Sequence, residues 1–157
     1  MDENTIIDRL KEWLQAVIIQ STRIMEPESV NSFPKFQTKS IDARFFSIAL
    51  LNYMKWAKHL KSIRPDLAQI LDNYVSNYNE AKDLRDMLEH EDDYLSSKGK
   101  KQSKFLKQIS LNNGRIYGGL RPQVILVTEK GFSMGDRVSV DNSLLKAIRL
   151  YKLKRLK

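Results

Sequence analysis

Apolar residues recur at three- and four-residue steps through positions 1–97, a spacing that commits most of this 157-residue chain to amphipathic helices. The first helix is expected over residues 4–25, with Ile6, Ile7, Leu10, Trp13, Leu14, Val17, Ile18 and Ile24 on its inner face. Asp2, Glu3 and Asn4 suit its start, where free N–H groups favour acceptors and negative charge. Pro27 and the polar stretch after it end it. A second helix is expected after Ser40 to about Ile63, with a wide aromatic stripe of Phe45, Phe46, Ala49, Leu50, Tyr53, Trp56, Ala57 and Leu60. Pro65 then fits the first position of a third helix, where its missing N–H costs nothing. Leu67, Ile70, Leu71, Tyr74, Tyr78, Ala81, Leu84, Leu88 and Leu95 carry that helix to about Ser96, roughly 45 Å at ~1.5 Å per residue. Gly99 is the expected stop.

The period changes after Lys100. Turn signals at Asn112–Gly114, Gly118–Gly119, Lys130–Gly131 and Gly135–Asp136 separate β-prone runs at 105–111, 115–117, 123–128 and 137–140. These runs predict a small antiparallel meander or a pair of hairpins. Asp141 or Asn142 is expected to cap a last helix, with Leu144, Leu145, Ile148 and Tyr151 inward and Lys146, Arg149, Lys152, Lys154, Arg155 and Lys157 outward. The expected fold is mainly α: an up-and-down bundle of about four helices with a small antiparallel β insertion before the last. It forms one domain, with a helical body at 1–97, the insertion at 98–140 and a basic C-terminal helix at 141–157.

Charge is divided along the same line. Residues 1–97 hold 12 Lys/Arg and 16 Asp/Glu, a net −4; residues 98–157 hold 15 and 3, a net +12. A basic region after an acidic body suits a polyanion such as RNA, or a charge-matched second copy. Lys98, Lys100, Lys101, Lys104, Arg115, Arg121, Lys146 and Arg149 are the expected phosphate contacts, and Tyr117 and Phe132 the expected base-stacking residues. No Cys is present, which excludes disulfides and thiolate chemistry. No apolar run approaches the ~18 residues of a membrane helix, and the acidic, amphipathic N-terminus does not read as a secretory signal, so a cytoplasmic protein without membrane contact is expected. Gly-Lys-Ser/Thr is missing, GRIYGG lacks dinucleotide spacing, and with only two His in the chain a Ser nucleophile has little support for a base.

The dense constellation is EAKDLRDMLEHEDDY, residues 80–94. Glu80, Asp83, Asp86, Glu89, Glu91, Asp92 and Asp93 surround Arg85 and His90, one of two histidines in the chain. Asp86 and His90 stand four apart, within hydrogen-bonding reach on a helix. Arg85 and His90 stand about 140° apart around a regular helix, so they meet at one anion only from flanking positions or across an interface. The same run also reads as a solvated helix face laced with ion pairs. Asp86, Glu89, His90 and Asp93 share a side and would suit a lone divalent cation, whereas His59 has no Glu near it to complete a di-iron bundle.

The stretch from Arg85 to His90, R-D-M-L-E-H, resembles the signature of the HEPN superfamily: an Arg, a polar residue and then a His on a late helix of a bundle. RDMLEHEDDYLSSKGK looks like bacterial HEPN-like proteins in which that helix precedes a Gly-containing β segment and a final helix. The resemblance implies a metal-independent endoribonuclease of the toxin or antiphage-defence kind, needing no cofactor, in which two motifs meet across a homodimer. It also implies an antitoxin or other neighbouring protein as partner. Carried over, His90 shuttles a proton during attack by an RNA 2′-OH, Arg85 neutralises the phosphorane-like transition state and Asp86 orients the imidazole. Asp92 stands where paired toxins of this family carry a modifiable Tyr. Non-catalytic HEPN-like modules that bind RNA or protein are the alternative.

Overall fold

The computed structural model describes residues 1–26, 35–101, 109–110, 116–117, 125–128, 131–134 and 138–153. Helix α1 spans Glu3–Met25. Asp2 caps it, its carboxylate accepting from the Thr5 N–H at 2.9 Å and the Thr5 hydroxyl at 2.6 Å. These bonds hold the Asp2 carboxyl below its ordinary pKa. Ile6, Ile7, Leu10, Leu14, Val17 and Ile24 are buried, and Trp13 and Ile18 pack at the edge, as the periodicity predicts.

Helix α2, Lys35–Ile63, begins before the expected Ser40 and packs along α1. Ala43, Phe46, Ala49, Leu50, Tyr53, Met54, Ala57 and Leu60 are buried, but Phe45 is 55% exposed. Phe45 and Phe46 are about 100° apart around the helix, so the bundle takes one and leaves the other outside. Tyr53 is fully enclosed and donates its hydroxyl to the Tyr74 carbonyl at 2.9 Å.

The expected single third helix is four pieces. A 3-10 turn at Pro65–Leu67 leads into α3 (Ala68–Val75), α4 (Tyr78–Glu89) and α5 (Glu91–Leu95). Pro65 does open the run. The first break falls at Ser76–Asn77, inside a Ser- and Asn-rich stretch whose side chains compete for backbone groups; the Ser76 hydroxyl donates to the Asn73 carbonyl. The second falls at His90. Apolar spacing survives both, because Leu67, Leu71, Ala81, Leu84, Met87 and Leu88 all reach the core.

Two antiparallel units lie in the insertion. Strands β1 (Ile109–Ser110) and β2 (Ile116–Tyr117) pair, and β3 (Ile125–Thr128), β4 (Gly131–Met134) and β5 (Val138–Ser139) form a meander in that order. Gly131–Met134 falls between two expected turns, yet its register with Ile125–Thr128 makes it the central strand. Phe132 packs on the core rather than standing free for stacking.

Helix α6, Val140–Tyr151, packs on α1. Its cap is Ser139, whose hydroxyl accepts from the Asn142 N–H at 3.1 Å, not Asp141 or Asn142. Asp141 instead accepts the Phe132 N–H at 2.6 Å and ties β4 to the helix. The buried face is Val140, Ser143, Ala147 and Leu150, while Leu145 is 52% exposed and Tyr151 sits at the rim, its hydroxyl bonded to Gln15. Of the expected inner face, Leu144 and Ile148 are half-buried and only Leu145 and Tyr151 are exposed. The chain is mainly α, a helical bundle with a small antiparallel β insertion before its last helix. No described helix is long and apolar enough to cross a membrane.

Candidate functional site

Helix α4 ends where its partner α2 takes over its last carbonyls. Arg44 on α2 donates to the Leu88 carbonyl at 3.3 Å and pairs with Glu91 across the break. His90 lies between those two contacts, with φ −111° and ψ 35°, outside the helical range. Glu91, Asp92 and Asp93 then open α5, where negative charge suits the free N–H groups. Helix α5 closes with the Lys98 N–H on the Asp93 carbonyl (2.7 Å) and the Ser97 N–H on the Tyr94 carbonyl (3.2 Å). This is a Schellman turn with Ser97 in the left-handed conformation at φ 62°. The stop is therefore two residues before the expected Gly99. The turn folds 98–101 back toward α4, where Lys101 pairs with the buried carboxylate of Asp83.

The result is an open cleft of about 450 Å³ between α4, α5 and the 98–101 segment. Asp83, Arg85, Asp86, Glu89, His90, Asp93, Tyr94, Gly99, Lys100 and Lys101 line it. Arg85 and His90 thus share one cleft within a single chain, because the backbone leaves the helix at His90. Their immediate partners are local. Arg85 donates to Glu89 one turn on, at 2.5 Å, and its Nε lies 3.5 Å from Asp86; its side chain is 25% exposed. His90 is 66% exposed, and its Nδ1 lies 3.9 Å from the Asp93 carboxylate, an electrostatic contact longer than a hydrogen bond.

Asp86 does not orient the imidazole. It meets His90 only through the backbone, its carbonyl accepting the His90 N–H at 3.1 Å, and its carboxylate faces Arg85. The carboxylate within 4 Å of the imidazole is that of Asp93, three residues on, a pairing that follows from the helical restart after the break. Glu89 and Asp83, which the sequence showed only as members of the acidic run and Glu89 also as a possible cation ligand, hold the site as ion-pair partners of Arg85 and Lys101. An Arg followed four residues later by a Glu is the signal for the first; nothing in the sequence announces the second, which depends on the chain turning back.

The basic residues divide into groups. Lys100 is exposed and lines the cleft, Lys101 is engaged by Asp83, and Lys98 is exposed on the turn. On α6, Arg149 is exposed and Lys146 is half-buried, its Nζ 3.5 Å from the Ser76 hydroxyl. Lys104, Arg115 and Arg121 lie outside the described residues, as do Lys154, Arg155 and Lys157. Among the described residues no group of three or more His, Asp or Glu converges on a metal position.

Four carboxylates and three Lys/Arg side chains line the cleft, so one chain alone presents a site with one more carboxylate than Lys/Arg cation. No protein-family model, curated protein or solved structure matches this chain.

Proposed function

We propose that the chain is a HEPN-like, metal-independent endoribonuclease of the toxin or defence kind, acting as a homodimer. One observation carries the reading: Arg85 and His90, five positions apart in a motif of that kind, line the same open cleft beside Lys100. An imidazole titrates near neutrality and so takes or gives a proton at working pH. A guanidinium is permanently charged and grips two phosphate oxygens at once. In the proposed step the 2′-oxygen of one ribose bonds to the adjacent phosphorus as one His90 removes its proton. The bond to the 5′-oxygen breaks and that oxygen takes a proton from the second copy's imidazole, leaving a cyclic phosphate and a 5′-hydroxyl. Arg85 neutralises the extra charge on the pentavalent phosphorus. The carboxylate excess of a single cleft is the charge that a second chain's cations would offset in the proposed dimer.

Cleavage of mixed RNA in EDTA by the unsubstituted protein, His90→Ala and Arg85→Ala tests this. Loss of a general acid–base group is expected to slow turnover roughly 10²–10⁴-fold. Equal rates in all three, or no cleavage of diverse RNAs by any, overturns it. The pairing of Arg85 with Glu89 and Asp86 favours a second reading, a non-catalytic HEPN-like module that binds RNA or protein. Retention of RNA without turnover, with affinity falling steeply as salt rises, is its signature.

A further inference from the structure

The Asp83–Lys101 pair joins residues 18 apart and closes one wall of the cleft. Asp83 is enclosed, its side chain 9% exposed, on the same side of α4 as Asp86. A carboxylate that deep is stable as an anion only with a cation held against it. Lys101 supplies that cation, so its charge is committed to the protein rather than offered to a ligand. Its neighbour Lys100 lines the same cleft and has no ion pair among the described residues.

We infer that Lys100 is the second phosphate-contacting cation of the cleft, taking the phosphate next to the one at Arg85, and that Asp83 is a positioning residue acting through Lys101. This rests on the RNA reading above. Two adjacent lysines thus have separate roles. Lys101 anchors the returning segment, and Lys100 meets the RNA backbone.

Charge and geometry predict opposite signs for one substitution. Asp83→Asn removes a negative charge from a site for a polyanion, so charge alone would tighten binding. If Asp83 positions Lys100, binding weakens instead. Affinity is read with a labelled, non-cleavable 2′-O-methyl RNA. Asp83→Asn, Lys101→Met and Lys100→Ala are each expected to weaken it roughly tenfold, the scale of one charge-assisted hydrogen bond. Asp83→Asn combined with Lys100→Ala is expected to be no weaker than Lys100→Ala alone, since both remove one interaction. Trypsin cleavage at Lys98 and Lys100, measured without RNA, is expected to speed up in Asp83→Asn and Lys101→Met. Should Asp83→Asn fail to fold, Asp83→Leu combined with Lys101→Met removes the pair with no change of net charge, and is likewise expected to weaken binding. Unchanged or tighter RNA binding by Asp83→Asn or by the charge-neutral double replacement, or fully additive losses in Asp83→Asn with Lys100→Ala, overturns the positioning role while the RNA reading stands. No binding by the unsubstituted protein overturns the RNA reading and Lys100's role with it, whatever trypsin reports on the pair.

Discussion

Tyr53 shows how one polar atom is accommodated in an otherwise apolar interior. Its ring is enclosed, and the hydroxyl is satisfied by the Tyr74 carbonyl. Burial, with a smaller contribution from Tyr74, pushes the phenol well above its ordinary pKa. A group whose pKa is raised by folding contributes stability below its unfolded pKa and loses it as pH climbs toward the folded one. Tyr53→Phe is therefore expected to cost about 1–2 kcal/mol at neutral pH, from the orphaned carbonyl. In urea unfolding from pH 7 to 11, the gap between the two proteins should narrow above about pH 10. A gap that stays constant across that range would contradict the burial account. At the candidate site, Glu89 plays the part of a resident anion. It occupies the guanidinium that a phosphate would need, so binding requires exchange of one for the other. Glu89→Gln should tighten binding of a non-cleavable RNA by a few-fold, since the competing charge is gone and the exposed surface pair it breaks is worth only about 0.3–0.5 kcal/mol in helices. Weaker binding by Glu89→Gln would show that the carboxylate aims Arg85 rather than competing for it.

At the scale of elements, two backbone positions set how the helices end and where the sheet docks. Ser97 holds a left-handed conformation that most side chains avoid at a cost of roughly 1–2 kcal/mol. Ser97→Gly should remove that cost at the Schellman turn, raising the unfolding free energy by about 0.5–1 kcal/mol in chemical denaturation. Gly131 is the opposite case. Its φ is +98°, and a Cβ there would stand 2.5 Å from the Asp141 carboxylate that binds the Phe132 N–H. Gly131→Ala is expected to destabilise by about 2–3 kcal/mol, combining backbone strain with displacement of that carboxylate; an unchanged melting temperature would remove Asp141 as the tie between β4 and α6. These positions also mark where the sequence is legible. Helical spacing locates α1, α2 and the inward residues of 65–95, because burial writes a period into the chain. It does not show the interruptions at Ser76–Asn77 and His90, since a short break barely shifts the apolar phase while Arg44, distant in sequence, fixes the second one. The α6 face is misleading for a related reason: Ser143 and Ala147 are buried because they are small, whereas size draws attention to Leu145. Within the site, the acidic run and its Arg and His are visible as letters. The roles of Asp93 and Asp83 are not, because both follow from turns that no local pattern specifies.

For the whole molecule, the proposed RNA function makes the separation between cleft and basic helix a prediction about ligand length. Lys146 on α6 approaches Ser76, just before α4 begins, whereas the cleft lies at the far end of α4 around His90. Arg85 stands nine residues from Ser76, about 13 Å at ~1.5 Å per residue. A strand of several nucleotides running along α4 spans that distance more readily than a dinucleotide held at Arg85. On the RNA reading, Arg85 and Lys100 in the cleft and Lys146 and Arg149 on α6 should then act as separate footholds on one ligand. Replacing Lys146 and Arg149 with Gln should then leave the affinity for a dinucleotide analogue unchanged. Binding of a longer single strand should weaken, and its log–log salt slope should become shallower by about 0.7 per lost contact. Measuring both RNAs by fluorescence anisotropy across a salt series separates the possibilities. Equal losses for short and long RNA would place α6 beside the cleft in the working assembly, through a second copy of the chain. No loss for either would leave the basic face of α6 for a partner other than RNA.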